Sequence, residues 1–367
     1  MLFFLWRIKM SEVLPARDVN KERLLFADVT RAVAILMVIL LHASALYFYQ
    51  EGTPLRWHFA NTINSFTRPA VPLFLMLSGA LLLSPDKKES PSKFLTHQFG
   101  KIVPSLFFWS IFYYLLGAYS AGAVFSFTEF LAGLVRGNLY YHLPFLYYLL
   151  GLYFTYPLLR SFFRGANQGE GFYFFVVWIV TVIIAGISKY FDFGISANLL
   201  IFFSFIGFPV IGWLIHSFEG TDRFSKIALL VFLLGWFATV MLTWYQKATG
   251  AYAEFFYEYL SPNVVFSSLA MFYLFRFTAW EIYLKGFTRR LVSIISINSF
   301  DMFLIHPFIL LVLKVYIVPA KFTTHAFTGI LILFFFTSVI SVLFAIFLNF
   351  LKYIFRAKVK QLLPGAA

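Results

Sequence analysis

The sequence predicts an all-α polytopic membrane protein with ten transmembrane helices and both termini in the cytoplasm. Three observations lead there. Of the 367 residues, 61% are hydrophobic and only 12% are charged, and mean hydropathy is +0.81. A soluble chain of this length could not wet its surface with that composition. Apolar runs long enough to span a bilayer recur ten times, at 29–50, 64–83, 99–119, 142–161, 172–191, 198–217, 227–246, 263–284, 291–313 and 327–350. The cations, finally, gather on alternate loops. Arg7, Lys9, Arg17, Lys21 and Arg23 precede the first run, Lys87, Lys88, Lys93 and Lys101 follow the second, and Arg160 and Arg164 follow the fourth. Arg223, Lys226, Lys285, Arg289 and Arg290 continue the pattern, and Lys352, Arg356, Lys358 and Lys360 close it. The opposite loops hold only Arg56, Arg136, Lys189, Lys247, Lys314 and Lys321. By the positive-inside rule the first set is cytoplasmic.

The net charge of +13 is therefore topological, and nucleic acid is not an expected partner; the bilayer is. The chain divides into a cytoplasmic N-terminal segment, 1–28, a ten-span membrane domain, 29–350, and a cytoplasmic tail, 351–367. Met1 to Trp6 is too short for a signal-peptide core and reads as part of the tail, or as a start-site extension before Met10. With no cysteine, disulfides, thiol catalysis and cysteine-ligated metals are excluded.

The first run carries the strongest functional signal. Asp28 and Arg31 sit three residues apart at its start and can pair on a helix. His42 follows Arg31 by eleven residues, which returns it to within roughly 20° of the same face, about 16 Å along the axis. Asp28 and Arg31 alone could be a helix-start residue and a membrane-edge anchor. An imidazole in register with them, inside the bilayer, is costly unless it serves a site, and histidine is the side chain best suited to take and return a proton near neutral pH.

The second run opens Asn64-Ser-Phe-Thr-Arg68-Pro69-Ala-Val-Pro72 and continues to Ser78-Gly79. Two prolines within four residues are expected to distort the helix. Arg68, near the outer end of this run, reads as a site residue for an anion or a sugar oxygen, against a snorkelling alternative. Ser78 and Gly79 read as close-packing residues. After the third run, residues 120–141 form a semi-apolar outer segment suited to a re-entrant or interfacial helix. The fourth run opens with Tyr140, Tyr141, His142, Pro144, Tyr147 and Tyr148. Tyrosines there fit an interfacial belt, and Tyr141 and His142 also lie where an outer acceptor would enter. The fifth to eighth runs are read from length and hydropathy alone. The ninth holds Ser299, Asp301 and His306, with Asp301 expected mid-membrane and about 140° from His306 around the helix. His58, His97, His216 and His325 read as surface residues.

No glycine-rich phosphate loop, His-Glu-x-x-His motif, clustered carboxylates at metal spacing or nucleophile elbow occurs, so no metal is expected. What the residues do form is a set of four motifs in order. Arg-x10-His lies in the first run, Arg-Pro-x-Val-Pro-x-Phe with Ser-Gly in the second, His-Leu-x-Phe-Leu-Tyr at the fourth, and Ser-x4-Leu-x-His-Pro in the ninth. Together they resemble the acyltransferase-3 family, membrane enzymes that O-acylate surface glycans, over essentially the whole chain. Within it the chain looks most like the stand-alone group acting on enterobacterial common antigen and exopolysaccharides, including intercellular-adhesion succinyltransferase-like proteins. Pro144 stands where related sequences often carry tryptophan, and Phe303 where tyrosine is common.

The resemblance implies an acyl-CoA donor approaching from the cytoplasm, acetyl-CoA first and succinyl-CoA second, with Asp28 and Arg31 at the donor. His42 matches the essential histidine, as general base or as an acyl-carrying relay. Arg68 matches the second-span arginine implicated in function; beyond the resemblance, Asp301 and His306 are read as catalytic residues with it, and Tyr141 and His142 as binding an extracytoplasmic glycan acceptor. The expected location is the bacterial cytoplasmic (inner) membrane, with a homodimer or polysaccharide-synthesis machinery as further partners. The competing reading is an exporter or flippase for a glycan or its lipid carrier, since buried charges and broken spans suit that as well.

Overall fold

A computed structural model describes residues 24–49, 53–84, 87, 89–165, 168–191, 205–218, 222–250, 254–316 and 325–362. Residues 1–23, residues 192–204, which include the start of the sixth expected run, and the last five residues of the tail lie outside the described residues. So do Lys88, Lys321 and the cations before Leu24 that entered the topology argument.

All regular structure among the described residues is helical. In chain order the helices are α1 (Leu25–Phe48), α2 (Pro54–Thr67), α3 (Ala70–Leu82), α4 (Pro91–Ser120), α5 (Phe127–Arg136), α6 (Pro144–Gly165) and α7 (Gln168–Phe191). Then come α8 (Gly207–Ser217), α9 (Asp222–Ala248), α10 (Pro262–Phe277), α11 (Trp280–Tyr283), α12 (Gly286–Tyr316) and α13 (Ala326–Leu362). Among the described residues, seven stretches are long and apolar enough to cross a bilayer: α1, α2 with α3, α4, α7, α9, α12 and α13.

Three of the ten expected runs depart from that. The fourth becomes α6, with Pro157 inside it, the described part of the sixth is the eleven-residue α8, and the eighth stops at Phe277 as the sixteen-residue α10, about 24 Å long. The second expected run begins too late. Its helix starts at Pro54, and Asn61, which lies before the expected start, is fully buried. The break at Arg68 and Pro69 is where the prolines predict it, and α3 resumes at Ala70. The outer segment folds as α5, capped by Ser126 and by Gly137 at a φ of +70°, a left-handed C-cap that glycine takes without strain. Phe127, Leu131 and Val135 form an exposed apolar stripe on it, as interfacial helices do.

The chain forms two compact units, one up to Asn64 and from Thr278 onward, the other Ser65–Phe277. In the first, α12 packs on α1 and α13. Ser296 Oγ donates to Asp28 at 2.7 Å, and Asn349 Nδ2 donates to Asn298 Oδ1 at 2.8 Å. These bonds set the axial register of the three helices. In the second unit α3 crosses α8 backbone to backbone. A Cβ on Gly79 would lie 1.8 Å from Pro209 O, and one on Gly212 would lie 2.1 Å from Met76 O. Gly79→Ala is therefore expected to destabilise the protein by about 1–3 kcal/mol by prying the pair apart, read as a lowered thermal midpoint in detergent; an unchanged midpoint would contradict the packing reading. Ser78 joins the same packing through a 2.9 Å hydrogen bond with the Tyr156 hydroxyl.

Candidate functional site

Five of the residues singled out from sequence fall in the first unit. Asp28 is almost fully buried at the start of α1 and accepts the Ser296 hydrogen bond, while Arg31 lies 3.9 Å from the same carboxylate oxygen. Arg31 itself is 36% exposed. The pair thus has one anchored end and one partly accessible end: Ser296 fixes the carboxylate, and the carboxylate pairs with an arginine side chain about a third of which is accessible. A partly accessible, paired arginine suits a phosphate-bearing ligand.

Further along α1, His42 stacks on His306 of α12, with ring centroids 5.3 Å apart and planes inclined by 26°. His306 is fully buried, and its Nδ1 lies 2.8 Å from Phe303 O. A carbonyl oxygen only accepts, so Nδ1 carries the hydrogen and the neutral ring keeps its lone pair on Nε2. Two imidazolium charges at the 5.3 Å separation would repel by about 3 kcal/mol at an effective dielectric of about 20. The pair therefore holds one proton far more readily than two.

Asn64 completes this region, and nothing in the sequence assigned it a role. Fully buried on α2, it donates from Nδ2 to Leu41 O at 3.2 Å and to Ser44 Oγ at 3.0 Å; Ser44 Oγ donates to Leu41 O at 2.9 Å. Those three bonds bracket His42 on the α1 backbone. Its only sequence signal was an amide four residues before Arg68. Asn64→Leu, close in volume, should cost about 1–3 kcal/mol by stranding a buried acceptor. A thermal midpoint equal to wild type would show that the clamp carries no load.

Asp301 is the sixteenth of the 31 residues of α12, and its partner lies on α13. Its two carboxylate oxygens accept from Lys352 Nζ at 2.9 and 3.1 Å. Lys352, counted from sequence as a tail cation, thus neutralises it, and His306 meets His42 instead.

Arg68, Tyr141 and His142 belong to the second unit. Arg68 is the fifteenth residue of the 29-residue Pro54–Leu82 stretch. Its guanidinium lies 3.9 Å from the Tyr257 ring centroid and donates from Nη1 to Tyr257 O at 3.3 Å. His142 is buried and edge-on to Tyr113, Tyr140 and Tyr141, with centroids 4.9, 5.6 and 5.7 Å away. It is enclosed by tyrosines, whereas Tyr141 is half exposed. Arg160, another topological cation, is also buried: Nε donates to Leu82 O at 2.7 Å, capping α3, and Nη1 lies 3.7 Å from Glu89. His216 is no free surface residue either, since its Nδ1 accepts from Arg276 Nε at 2.8 Å.

Comparison with known proteins adds one finding. A family model described as an acyltransferase domain matches residues 24–348. No curated protein matches the chain, and no solved structure does.

Proposed function

The chain belongs to the acyltransferase-3 family, and from that premise we propose that it carries an acetyl group from acetyl-CoA across the bacterial inner membrane to a hydroxyl of a cell-surface or lipid-linked polysaccharide. The reading includes ten spans with both termini cytoplasmic, residues 29–350 as the membrane domain, and membership of the stand-alone glycan-modifying group. The observation that carries it is the stacked His42–His306 pair, in the same unit as the Asp28–Arg31 pair and with His42 on the same helix as that pair.

Arg31, oriented by Asp28 and Ser296, holds the phosphates of the donor. His42 removes the proton of the acceptor hydroxyl as its oxygen bonds to the thioester carbonyl carbon. The carbon–sulfur bond breaks, and the proton returns from His42 to the CoA sulfur. While His42 holds that proton, the imidazolium lies on the π face of neutral His306, worth about 0.5–2 kcal/mol in a dry site. Arg68, Tyr141 and His142 serve the acceptor. Lys352 keeps Asp301 out of the proton transfer and gives it a place in holding α12 against α13.

Mass spectrometry of the surface glycan from a deletion strain tests the reading. Loss of acyl esters with the polymer still exported is the expected result. Unmodified polymer retained inside the cell would identify an exporter instead.

A further inference from the structure

The second unit contains a cavity beside Arg68. It measures about 330 Å³ and is lined by Arg68, Phe205, Glu254, Tyr257, Glu258, Tyr259 and Leu260, at the lower end of the size range for small-molecule sites. It lies at the Arg68–Pro69 helix break, and interrupted helices within a membrane persist where they line such a site. Its far wall is the turn 254–261, built on a 3₁₀ turn at Phe255–Tyr257. That turn is pinned by Asn263, whose Nδ2 donates to Phe256 O at 2.8 Å and to Thr239 Oγ1 at 2.7 Å, and whose Oδ1 accepts from Ser261 Oγ at 2.6 Å. The wall is thus formed in advance of any ligand.

The lining chemistry selects the ligand. Among the described lining residues Arg68 and Glu254 carry opposite charges, and Glu258 is neutralised by Lys189 Nζ from outside the lining, so the formal charges of the group sum to zero. An anionic donor such as a nucleoside diphosphate would meet both carboxylates. An ammonium would meet the Arg68 guanidinium. Aromatic walls carry the rest: Phe205 stacks on Tyr148 at 4.6 Å and lies 6.4 Å from Tyr259. Apolar faces beside fixed donors and acceptors, with no net charge, match a polyhydroxylated ring, whose C–H faces pack on aromatics while its hydroxyls both donate and accept.

We propose that this cavity binds a single neutral sugar ring, the acceptor unit of the glycan. The assignment rests on the acyltransfer reading, and it makes Glu254, Glu258 and Tyr259 specificity residues that the sequence did not single out. Purified full-length protein in detergent, titrated with methyl hexosides and followed by saturation-transfer NMR, tests it directly. Saturation transfer to a neutral methyl hexoside is expected, with at least tenfold less to glucuronate or glucosamine. Glu254→Gln and Tyr259→Ala should each reduce it at least fivefold while leaving the thermal midpoint and elution volume as in wild type. Transfer that persists in both variants, equal transfer to the charged sugars, or no transfer to any neutral hexoside would overturn the assignment. A parallel assay of wild-type membranes with labelled acetyl-CoA keeps the two ideas apart: sugar binding without label incorporation would sink the acyltransfer reading, not the cavity.

Discussion

Alanine at either His42 or His306 is expected to lower acyl transfer by about 10² to 10⁴, the usual contribution of positioned acid–base catalysis. The two losses should not add. The rings stack 5.3 Å apart, so removing one leaves the other without the partner that defines its role, and groups that act as a unit lose most of their effect with the first deletion. The double variant should therefore fall no more than a few-fold below the weaker single one. Losses that multiply would show two independent sites. His306→Phe separates the ring face from the nitrogen. It keeps an aromatic surface under His42 but removes both Nε2 and the Nδ1 bond to Phe303 O. If the face supports the imidazolium, this variant should regain about tenfold over alanine, the worth of a desolvated cation–π contact. Activity no better than alanine would move the role of His306 to its nitrogen. Labelled acetyl incorporation, normalised to protein in the membrane, measures all four.

The features legible in the sequence were those decided within one helix. The Asp28–Arg31 pair needs only a spacing of three, the Arg31–His42 face only a count of eleven, and the break at Arg68 only a proline's missing N–H and fixed φ. The outer helix α5 was legible only as the segment 120–141; its ends are set by Ser126 and Gly137. What pattern could not supply was partnership between distant elements. His42 and His306 are 264 residues apart, Asp28 and Ser296 268, and neither spacing leaves a periodic trace. The same gap hid the partner of Asp301: a carboxylate in an apolar run carries no sign of the Lys352 that lies beside it. Arg160 shows the converse. Counted as a loop cation, it is buried as the cap of α3, because charge counting sees the sign of a residue and not the carbonyl it satisfies. The turn 254–261 was invisible for a simpler reason, since its shape comes from Asn263 hydrogen bonds made outside any repeat.

Arg31→Ala is expected to raise the KM for the acyl donor by about ten- to a hundredfold with kcat within a few-fold of wild type, equivalent to losing a charge-assisted bond of about 1.5–3 kcal/mol. A residue that holds the donor equally before and during reaction contributes uniform binding, and its loss appears in KM. Exposure adds a second signature. With 36% of its side chain accessible, Arg31 acts partly through screened Coulomb attraction, so the KM ratio between wild type and variant should shrink as salt is raised towards 1 M, where the Debye length falls to about 3 Å. Arg31→Lys keeps the charge without the planar fork that Asp28 orients, and should recover only part of the affinity. Asp28→Asn should do the reverse: it can still accept the Ser296 hydrogen bond but no longer pairs Arg31 as an ion, so the guanidinium stays charged and loses its direction. A donor KM moved by Arg31→Ala but not by Asp28→Asn would mean that charge alone suffices. If neither moves KM and both lower kcat, the pair acts on the transition state, and the donor phosphates bind elsewhere.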